Sequence, residues 1–529
     1  MLALATSGAL LLALASNLTF VGDGWDLLAG RPDWTVGTFL DPFNEHPVLL
    51  TALSYKVLLN LFGMDSALPF FAVSISVSLL CATLLFVFMR RRVGGWLALA
   101  GTVLILFLGA AHEDLLWEFQ VCFFGSMAAG LGALLALDRE DGLGDAVACF
   151  LLVVSTAFSS LGIPFIVATI ARVGLSPGPR FHRVYVPLLP TALYVVWWLS
   201  SGHSAGSELS LGDIPDLPRY VFDAAAAGIA SLLGRQPLEA DGRPPMLAQV
   251  LAILFAAVLV YRSTRQRRLA AGLLVALVLV FSFWGLLALD RGPQRFSSHF
   301  QYPSAIFLLI VAAEALRGQR IPRLAAVALA VISTAAVVGG LSLLDRGYSD
   351  VWKPTGEQIR ATLAAVDIAG GNARPHYRIA FPPSIFLPVE RYRDARRKHG
   401  TPAFSEAQLI TAEESARKTA DRTLAGVLGL RLNRSMSAHQ VQRCRELAST
   451  EGTDAAAVLP PGGVFELENR MNKKVTIALG RFSHTAPIDL GAIPARADRL
   501  LRLPADNSIR AWHLSIQGGA GRLCVVTQA

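Results

Sequence analysis

Charged residues are scarce in this chain: they make up only 16% of its 529 residues, and its mean hydropathy is positive. A chain of this composition is too apolar for one ordinary soluble domain. Up to Leu344 the sequence consists of apolar runs of about 17 to 25 residues, the length that crosses a bilayer as a helix. From residue 345 onward the composition is that of a soluble domain. We therefore predict a polytopic transmembrane domain at 1–344 and a second domain at 345–529.

Several motifs of common enzyme classes are missing. The sequence has no phosphate-binding Walker loop, no GxGxxG or GxSxG motif in a suitable context, and no Cys/His spacing typical of a metal site. Cysteine is also rare, and three of the five cysteines lie in apolar runs. Cys444 and Cys524 lie in the polar tail, where a disulfide is permitted if the tail is outside the cytoplasm. Spacing alone leaves that pairing open.

Basic residues outnumber acidic ones and give a net charge of +8, but they are concentrated in short clusters between apolar runs. The clusters are Arg90–Arg92, Arg172 with Arg180–Arg183, Arg262–Arg268 and Arg317–Arg323. They fall in alternate loops, as expected when positive charge is retained on the cytoplasmic side of a membrane. No basic stripe with interleaved aromatics is present, which argues against nucleic-acid binding. We predict a multi-pass plasma-membrane protein with a cytoplasmic N-terminus and an extracytoplasmic C-terminal domain.

The predicted fold is an all-α membrane domain of about eleven spans, followed by an α/β domain that ends in a small β-sandwich. The first segment, Met1–Phe20, is either a span or a cleaved signal peptide, and in both cases the next loop is outside. His46–Phe62 is expected to lie at the interface with Lys56 at its polar edge. Ser159–Pro164 interrupts a long run and predicts two broken helices. Helices are expected at Thr355–Ile368 and Ser405–Leu428, and strands at Lys474–Leu479, Leu500–Leu503, Ala511–Ile516 and Arg522–Val526.

Ionisable side chains concentrate in the predicted outer loops. The loop Phe20–Pro47 is rich in acids, and its Trp25 and Trp34 suit a membrane–water boundary. Asp33 and Asp41 also lie in this loop, but the candidate residues of the outer loops are Asp23, Asp26, Glu45, His46, His112, Glu113, Asp114, Glu118, Arg291, Arg295 and His299. Each alone has a simple structural explanation, such as a helix cap, a solvated charge or an interface anchor. Their convergence on one membrane face, where carboxylates are costly unless they have partners or a function, favours a site.

The ionisable residues of the outer loops suit a reaction that transfers a group from an activated donor held in the membrane. A carboxylate can act as general base toward an acceptor hydroxyl, and arginine or histidine can hold a departing phosphate. A divalent cation such as Mg²⁺ or Mn²⁺ is compatible with the carboxylates, although nothing in the sequence requires one.

Three motifs resemble the GT-C class of membrane glycosyltransferases, and in particular a group of multi-spanning actinobacterial proteins. The motifs are Asp23-Gly24-Trp25, Asn44-Glu45-His46, and Glu113-Asp114-Leu115-Leu116-Trp117 followed by Phe119-Gln120. The resemblance covers most of the first 320 residues. The chain departs from that group at Gly24, where the group has a second acid, and at Ser298-His299-Phe300, where it has Ser-Arg-Tyr.

The resemblance implies an enzyme that moves a sugar from a polyprenyl-phosphate donor to a glycan or lipid acceptor among membrane lipids. Asp23 inherits the role of base, with Asp26 as the alternative, and Glu113 and Asp114 would orient the acceptor or bind a cation. Glu45, His46, His112, Trp117 and Gln120 would shape the pocket, while Arg291, Arg295 and His299 would hold the donor phosphate. The competing hypothesis is a lipid or polysaccharide transporter or a non-catalytic scaffold. A transporter would be expected to have broken helices in both halves, whereas the sequence has one such region.

Overall fold

The computed structural model describes most of the chain. The described residues are 1–176, 180–202, 211–265, 270–290, 296–319, 322–382, 385–434, 440–447, 454–483, 487–517 and 519–527.

The chain forms two compact units, and the second is assembled from three stretches of sequence. The first unit comprises residues 1–18, 31–61 and 67–352. The second comprises residues 19–30, 62–66 and 353–529, so two short N-terminal stretches fold with the C-terminal third. The acid-rich loop between Phe20 and Pro47 is therefore divided between the units.

The first unit is helical. Its helices are α1 (Leu2–Ala15), α2 (Val36–Leu40), α3 (Leu49–Phe62), α4 (Leu68–Val93), α5 (Gly95–Leu106), α6 (His112–Leu115), α7 (Val121–Leu137), α8 (Gly142–Phe158), α9 (Gly162–Leu175), α10 (Tyr185–Ser200), α11 (Leu217–Leu232), α12 (Met246–Arg265), α13 (Ala271–Asp290), α14 (Gln301–Ala315) and α15 (Arg323–Arg346).

Within the described residues, five helices are long and apolar enough to cross a membrane. They lie at Leu68–Val93, Gly95–Leu115, Glu118–Leu137, Ala271–Leu289 and Arg323–Asn372. Six shorter apolar helices accompany them. The prediction of a membrane-embedded helical part followed by a strand-rich part is confirmed at this level.

Local signals explain several helix ends. Helix α4 has a proline in its first turn and ends at Gly94, whose φ of 83° is a conformation that favours glycine. The Asp141 side chain accepts a hydrogen bond from the Gly144 amide and caps α8. The predicted interruption near Ser159–Pro164 is confirmed, because α8 ends at Phe158 and α9 begins at Gly162.

Lys56 differs from the sequence-based expectation. It was predicted at the polar edge of an interfacial helix, but the residue is only 2% exposed. Its ammonium donates to the backbone carbonyl of Arg31, within the same unit. The buried position is tolerated because the charge has an oxygen partner.

An ionic network joins the ends of α4, α7 and α14. The Arg92 guanidinium donates to both oxygens of Asp138 at 3.2 Å and pairs with Glu314. It also stacks on the Phe88 ring. The side chains of Arg92 and Glu314 are 6% and 3% exposed. Charges that are this strongly buried are stable only when they are paired with each other. The network therefore fixes the positions of these helix ends relative to one another.

The described residues of the second unit form helices and three antiparallel sheets, of two, four and five strands. Its helices are α16 (Lys353–Ala369), α17 (Val389–His399), α18 (Glu406–Thr411) and α19 (Glu414–Leu428). Its strands are β1 (Arg378–Phe381), β2 (Ile385–Pro388), β3 (Leu432–Arg434), β4 (Gln440–Leu447), β5 (Ala455–Leu459), β6 (Val464–Asn469), β7 (Val475–Gly480), β8 (Ile488–Ile493), β9 (Asp498–Arg502), β10 (Trp512–Gln517) and β11 (Gly521–Thr527).

The two larger sheets have the orders β5-β10-β7-β8 and β3-β9-β6-β11-β4. Burial alternates along β5, β6 and β10, so each sheet buries one face, as two layers of a sandwich require. The four predicted strands match β7, β9, β10 and β11 to within two residues. The predicted helix at Ser405–Leu428 is two helices, separated at Ala412–Glu413.

A disulfide joins Cys444 of β4 to Cys524 of β11, which the strand register places directly opposite each other. The pairing that spacing alone left open is thus present. It closes a loop of 80 residues that contains most of the sheet strands.

Arg481 and Asp506 form an ion pair with both side chains completely buried. Nη1 of Arg481 lies 2.8 Å from the Asp506 carboxylate, and the guanidinium stacks over the Trp512 ring at 4.3 Å. Beside it, the Asp421 carboxylate accepts the backbone amides of Arg481, Phe482 and Ser483. This polar cluster connects α19 to the end of β7, at the cost of removing several charges from water.

Replacing both cysteines by serine is expected to destabilise the second unit by about 4 kcal/mol, because the unfolded chain regains the freedom of a long loop. Thermal or denaturant unfolding of the purified protein, followed with and without reductant, measures the effect. Reductant should shift the midpoint of the wild type and leave that of the double serine variant unchanged. A wild-type midpoint insensitive to reductant would contradict the expectation.

Arg481→Met alone should cost about 3 to 5 kcal/mol, because it leaves the Asp506 charge buried without its partner. Arg481→Met combined with Asp506→Leu should recover most of that loss, since the double variant has no unpaired charge there. The unfolding midpoints of both variants and the wild type form the test. A double variant as unstable as the single one would show that packing around Trp512, not charge pairing, decides stability.

Candidate functional site

The loop that carries Glu113 and Asp114 is positioned by a close contact between two backbones. A Cβ on Gly109 would lie 1.7 Å from the carbonyl oxygen of Gly340 in α15, so a larger residue is excluded. A Cβ on Gly340 would likewise lie 2.2 Å from the carbonyl oxygen of Phe107. Small residues at such crossings let helical segments approach closely in membrane proteins. The start of the acidic loop is therefore held against α15.

Glu113 pairs with His299, although 186 residues separate them. Nδ1 of His299 lies 2.7 Å from one carboxylate oxygen, and the His299 backbone amide donates to the same oxygen at 2.9 Å. The neighbouring Ser298 hydroxyl accepts from the Glu113 amide and donates to the Ala110 carbonyl. The side chains of Glu113 and His299 stay partly exposed, at 28% and 22%. The pair thus combines a rigid frame with access to solvent.

Asp114 is completely buried, next to the first turn of α14. Its carboxylate faces the backbone amide of Tyr302, and a helix N-terminus favours a nearby negative charge. Among the described residues, neither carboxylate oxygen has a partner at hydrogen-bond distance and angle. A buried carboxylate in this condition is costly unless water, a cation or a ligand group completes its shell.

A second buried acid continues the cluster. The Tyr55 hydroxyl of α3 lies 3.5 Å from Glu118, and Tyr55 and Phe119 pack with ring centroids 6.2 Å apart. Phe119 also packs against Phe43 at 5.4 Å. This aromatic contact connects the acidic loop to the loop that precedes α3.

Asn44 and Glu45 form the two central residues of a tight hairpin turn. Their φ angles are 45° and 67°, and Phe43 and His46 exchange two backbone hydrogen bonds across the turn. Positive φ at both positions defines a type I′ turn, in which asparagine is favourable and glutamate is strained. The motif is therefore a hairpin turn, not the N-cap that its position before α3 also allows. Strained residues of this kind concentrate at functional sites.

His112 is held by the segment that follows α15. Its Nδ1 accepts a hydrogen bond from the Trp352 indole at 3.1 Å, and the missing Cβ of Gly347 leaves space for its ring. Residues Gly347–Trp352 form a π-helical turn, a feature often found at functional sites. Trp117 packs on Trp352 with ring centroids 5.7 Å apart. Gln120, at the end of the same loop, is buried.

Asp23 and Asp26 belong to the second compact unit. Asp23 is 9% exposed, within a turn in which the Trp25 amide bonds to the Gly22 carbonyl. Trp25 is fully buried and stacks on Phe381 of β1 with ring centroids 4.4 Å apart. The expectation that Trp25 lies at a membrane–water boundary is therefore wrong, whereas Trp34 is 56% exposed.

Within the first unit, the structure brings together residues that the sequence named separately. Glu113 contacts His299, and His112, Asp114, Trp117 and Gln120 lie on the same short loop. Arg291 and Arg295 lie outside the described residues. A meeting of Asp23 with Glu113 stays a prediction. Sequence analysis missed Tyr55, Ser298 and Trp352, and no local signal identified them because their partners are 63 to 240 residues away.

Among the described residues, no group of three or more His, Cys, Asp or Glu side chains is arranged to hold a metal ion. Cation binding by the acidic loop therefore stays a prediction.

No protein-family model matches the sequence, and no curated protein matches it. The chain is similar to the solved structure of ArnT from Cupriavidus metallidurans in the apo state, with 13% identity and a TM-score of 0.46. That similarity covers 82% of this chain and 95% of ArnT.

Two further similarities are to arabinosyltransferase EmbB from Mycobacterium smegmatis, at 10% identity and a TM-score of 0.33, and to arabinofuranosyltransferase AftD from mycobacteria, at 11% identity and a TM-score of 0.32. They cover 98% and 99% of this chain but only 64% and 61% of those proteins. The last two are named as an arabinosyltransferase and an arabinofuranosyltransferase. No TM-score reaches 0.5, so the functional assignment rests on the chain's own residues.

Proposed function

We propose that this protein is a GT-C-type membrane glycosyltransferase that moves a sugar from a polyprenyl-phosphate donor to an extracytoplasmic glycan or lipid acceptor. The observation that supports it most directly is the pair of Glu113 and His299, held between two loops beside the buried Asp114. A structural ion pair would not need two further buried acids on the same loop. A group-transfer site needs such a set, because it must handle both a hydroxyl proton and a departing phosphate.

The geometry assigns different tasks to the two partners. A hydrogen bond from Nδ1–H of His299 to Glu113 fixes the ring orientation, and Nε2, at the other edge of the ring, lies 3.5 Å from the Ser297 hydroxyl. In this proposal the ring also carries a proton on Nε2, which donates to a donor phosphate oxygen, and Arg291 and Arg295 contribute further positive charge. Glu113 orients the histidine, so it acts through its partner.

The incomplete hydrogen bonding of Asp114 also fits a site that a ligand completes. An acceptor hydroxyl or a hard divalent cation would supply the missing partner. The strained turn at Asn44–Glu45 and the His112–Trp352 contact would give the pocket a fixed wall.

Asp23 is the proposed general base, with Asp26 as its alternative, on the strength of the motif resemblance. The associated topology is about eleven spans with a cytoplasmic N-terminus and an extracytoplasmic C-terminal domain.

Asp23→Asn is expected to lower turnover about 10²- to 10⁴-fold, because an amide cannot accept the acceptor proton. The measurement is sugar transfer by the reconstituted protein with a polyprenyl-phosphate sugar. Asp33→Asn is the matched control, since Asp33 is an exposed acid only ten positions away. Unchanged turnover of the Asp23 variant, or equal losses in both variants, would remove Asp23 from the mechanism.

Glu113→Gln and His299→Gln should each raise the KM for the donor about tenfold or more, because each breaks the same oriented pair. The double variant should be no worse than the worse single variant, since residues that act as one unit are not additive. Donor titrations of the three variants give the coupling. Independent, multiplying losses would show that the two side chains contribute separately and that Glu113 does not position His299.

A further inference from the structure

A long apolar groove runs between α5 and α15 in the first unit. Its volume is about 600 Å³, and it is lined mainly by aliphatic side chains and alanines of the two helices. Ala100 and Val103 form one wall, and Ala326, Ala330 and Val337 form the other. A groove this long and apolar, on helices suited to a membrane, matches a hydrocarbon chain in size and chemistry.

The groove has one distinct end, at Gly94 and Gly95. A Cβ on either glycine would meet nothing within 4 Å, so the end is open. Trp96 lies beside it and is 86% exposed. Exposed tryptophan is enriched at the headgroup level of bilayers. The open end of the groove therefore suits the depth at which a phosphate headgroup lies.

Positive charge surrounds this end. Arg90 and Arg91 stand in the last turn of α4, directly before Gly94. Arg323 begins α15 and is three residues before Ala326, so it shares the groove side of that helix. In the described part of the chain, neither Arg90 nor Arg323 forms an ion pair, whereas Arg92 is occupied by Asp138 and Glu314.

The groove is separate from the candidate site. Its open end is at the first residue of α5, and Glu113 follows the last turn of the same helix. Twelve helical residues extend about 18 Å, so the two lie toward opposite ends of α5.

We propose that this groove binds an anionic phospholipid, with an acyl chain between α5 and α15 and the phosphate at Arg90, Arg91 and Arg323. The combination that carries the proposal is the apolar groove, Trp96 at its open end, and Arg90 and Arg323 near that end, which have no acidic partner in the described part of the chain; Arg91 lies 3.8 Å from Asp138 and is the weaker contributor. The occupant is a bilayer phospholipid, not the sugar donor, because the basic end lies away from Glu113.

Native mass spectrometry of the full purified chain, titrated with phosphatidylglycerol or phosphatidylcholine of equal acyl length, tests the proposal. The wild type should prefer phosphatidylglycerol. Arg90→Gln combined with Arg323→Gln should lower that preference about 30-fold, at about fivefold per arginine near a lipid phosphate. The control, Arg139→Gln with Arg235→Gln, removes two other exposed arginines and should keep the preference.

Ala330→Trp fills the groove and should reduce retention of both lipids equally. If that variant does not fold, the arginine variants test the proposal on their own, because they alter only exposed side chains. A wild type without preference, a preference that survives the loss of Arg90 and Arg323, or displacement of phosphatidylglycerol by a polyprenyl phosphate would each overturn the proposal. The last outcome would show that the groove holds the donor.

Discussion

In an apolar helical unit, a buried charged side chain is costly unless it has a partner, and this constraint organises the interior of the first unit. In one network Arg92 forms ion pairs with Asp138 and Glu314, and these pairs connect the ends of α4, α7 and α14. In the other, Glu113 meets His299, and the contact joins two loops that the sequence separates by 186 residues. In the first network the side chains of Arg92 and Glu314 are almost completely buried. The second network, Glu113 with His299, stays partly open to solvent and lies beside Asp114, whose hydrogen bonding is incomplete. The first network therefore holds helix ends together, whereas the second has the features of a binding site.

The sequence predicted those parts of the fold that depend on local pattern. Apolar runs located the long helices, and alternating segments located β7, β9, β10 and β11, because burial repeats along each element with its own period. The interruption between α8 and α9 followed from Ser159–Pro164 for the same reason. Lys56 and Trp25 were misplaced because their surroundings come from distant segments: the Arg31 carbonyl for one and Phe381 for the other. No window of sequence contains that information.

The candidate site likewise has features that local sequence predicted and features that depend on distant contacts. Glu113 and His299 were both named from composition and loop position, but their pairing could not be derived from spacing. The turn at Asn44–Glu45 was noticed as a motif, yet its left-handed backbone was not, because glutamate is not a residue expected there. Tyr55 and Trp352 carried no signal. Tyr55 lies in an apolar run and looks like a core residue until its hydroxyl is seen against Glu118, and nothing near Trp352 in the sequence indicates that its indole donates to His112.

The composite origin of the second unit has a consequence for biosynthesis. Residues 19–30 leave the ribosome more than 300 residues before Lys353, the first residue of the C-terminal stretch with which they fold. Domains generally fold as units and in the order of synthesis. Here residues 19–30 must wait for partners that have yet to be translated. A truncation that removes the C-terminal third would therefore remove Phe381, on which Trp25 stacks. The exposed hydrophobic residues of the N-terminal stretch would then be accessible to chaperones or proteases.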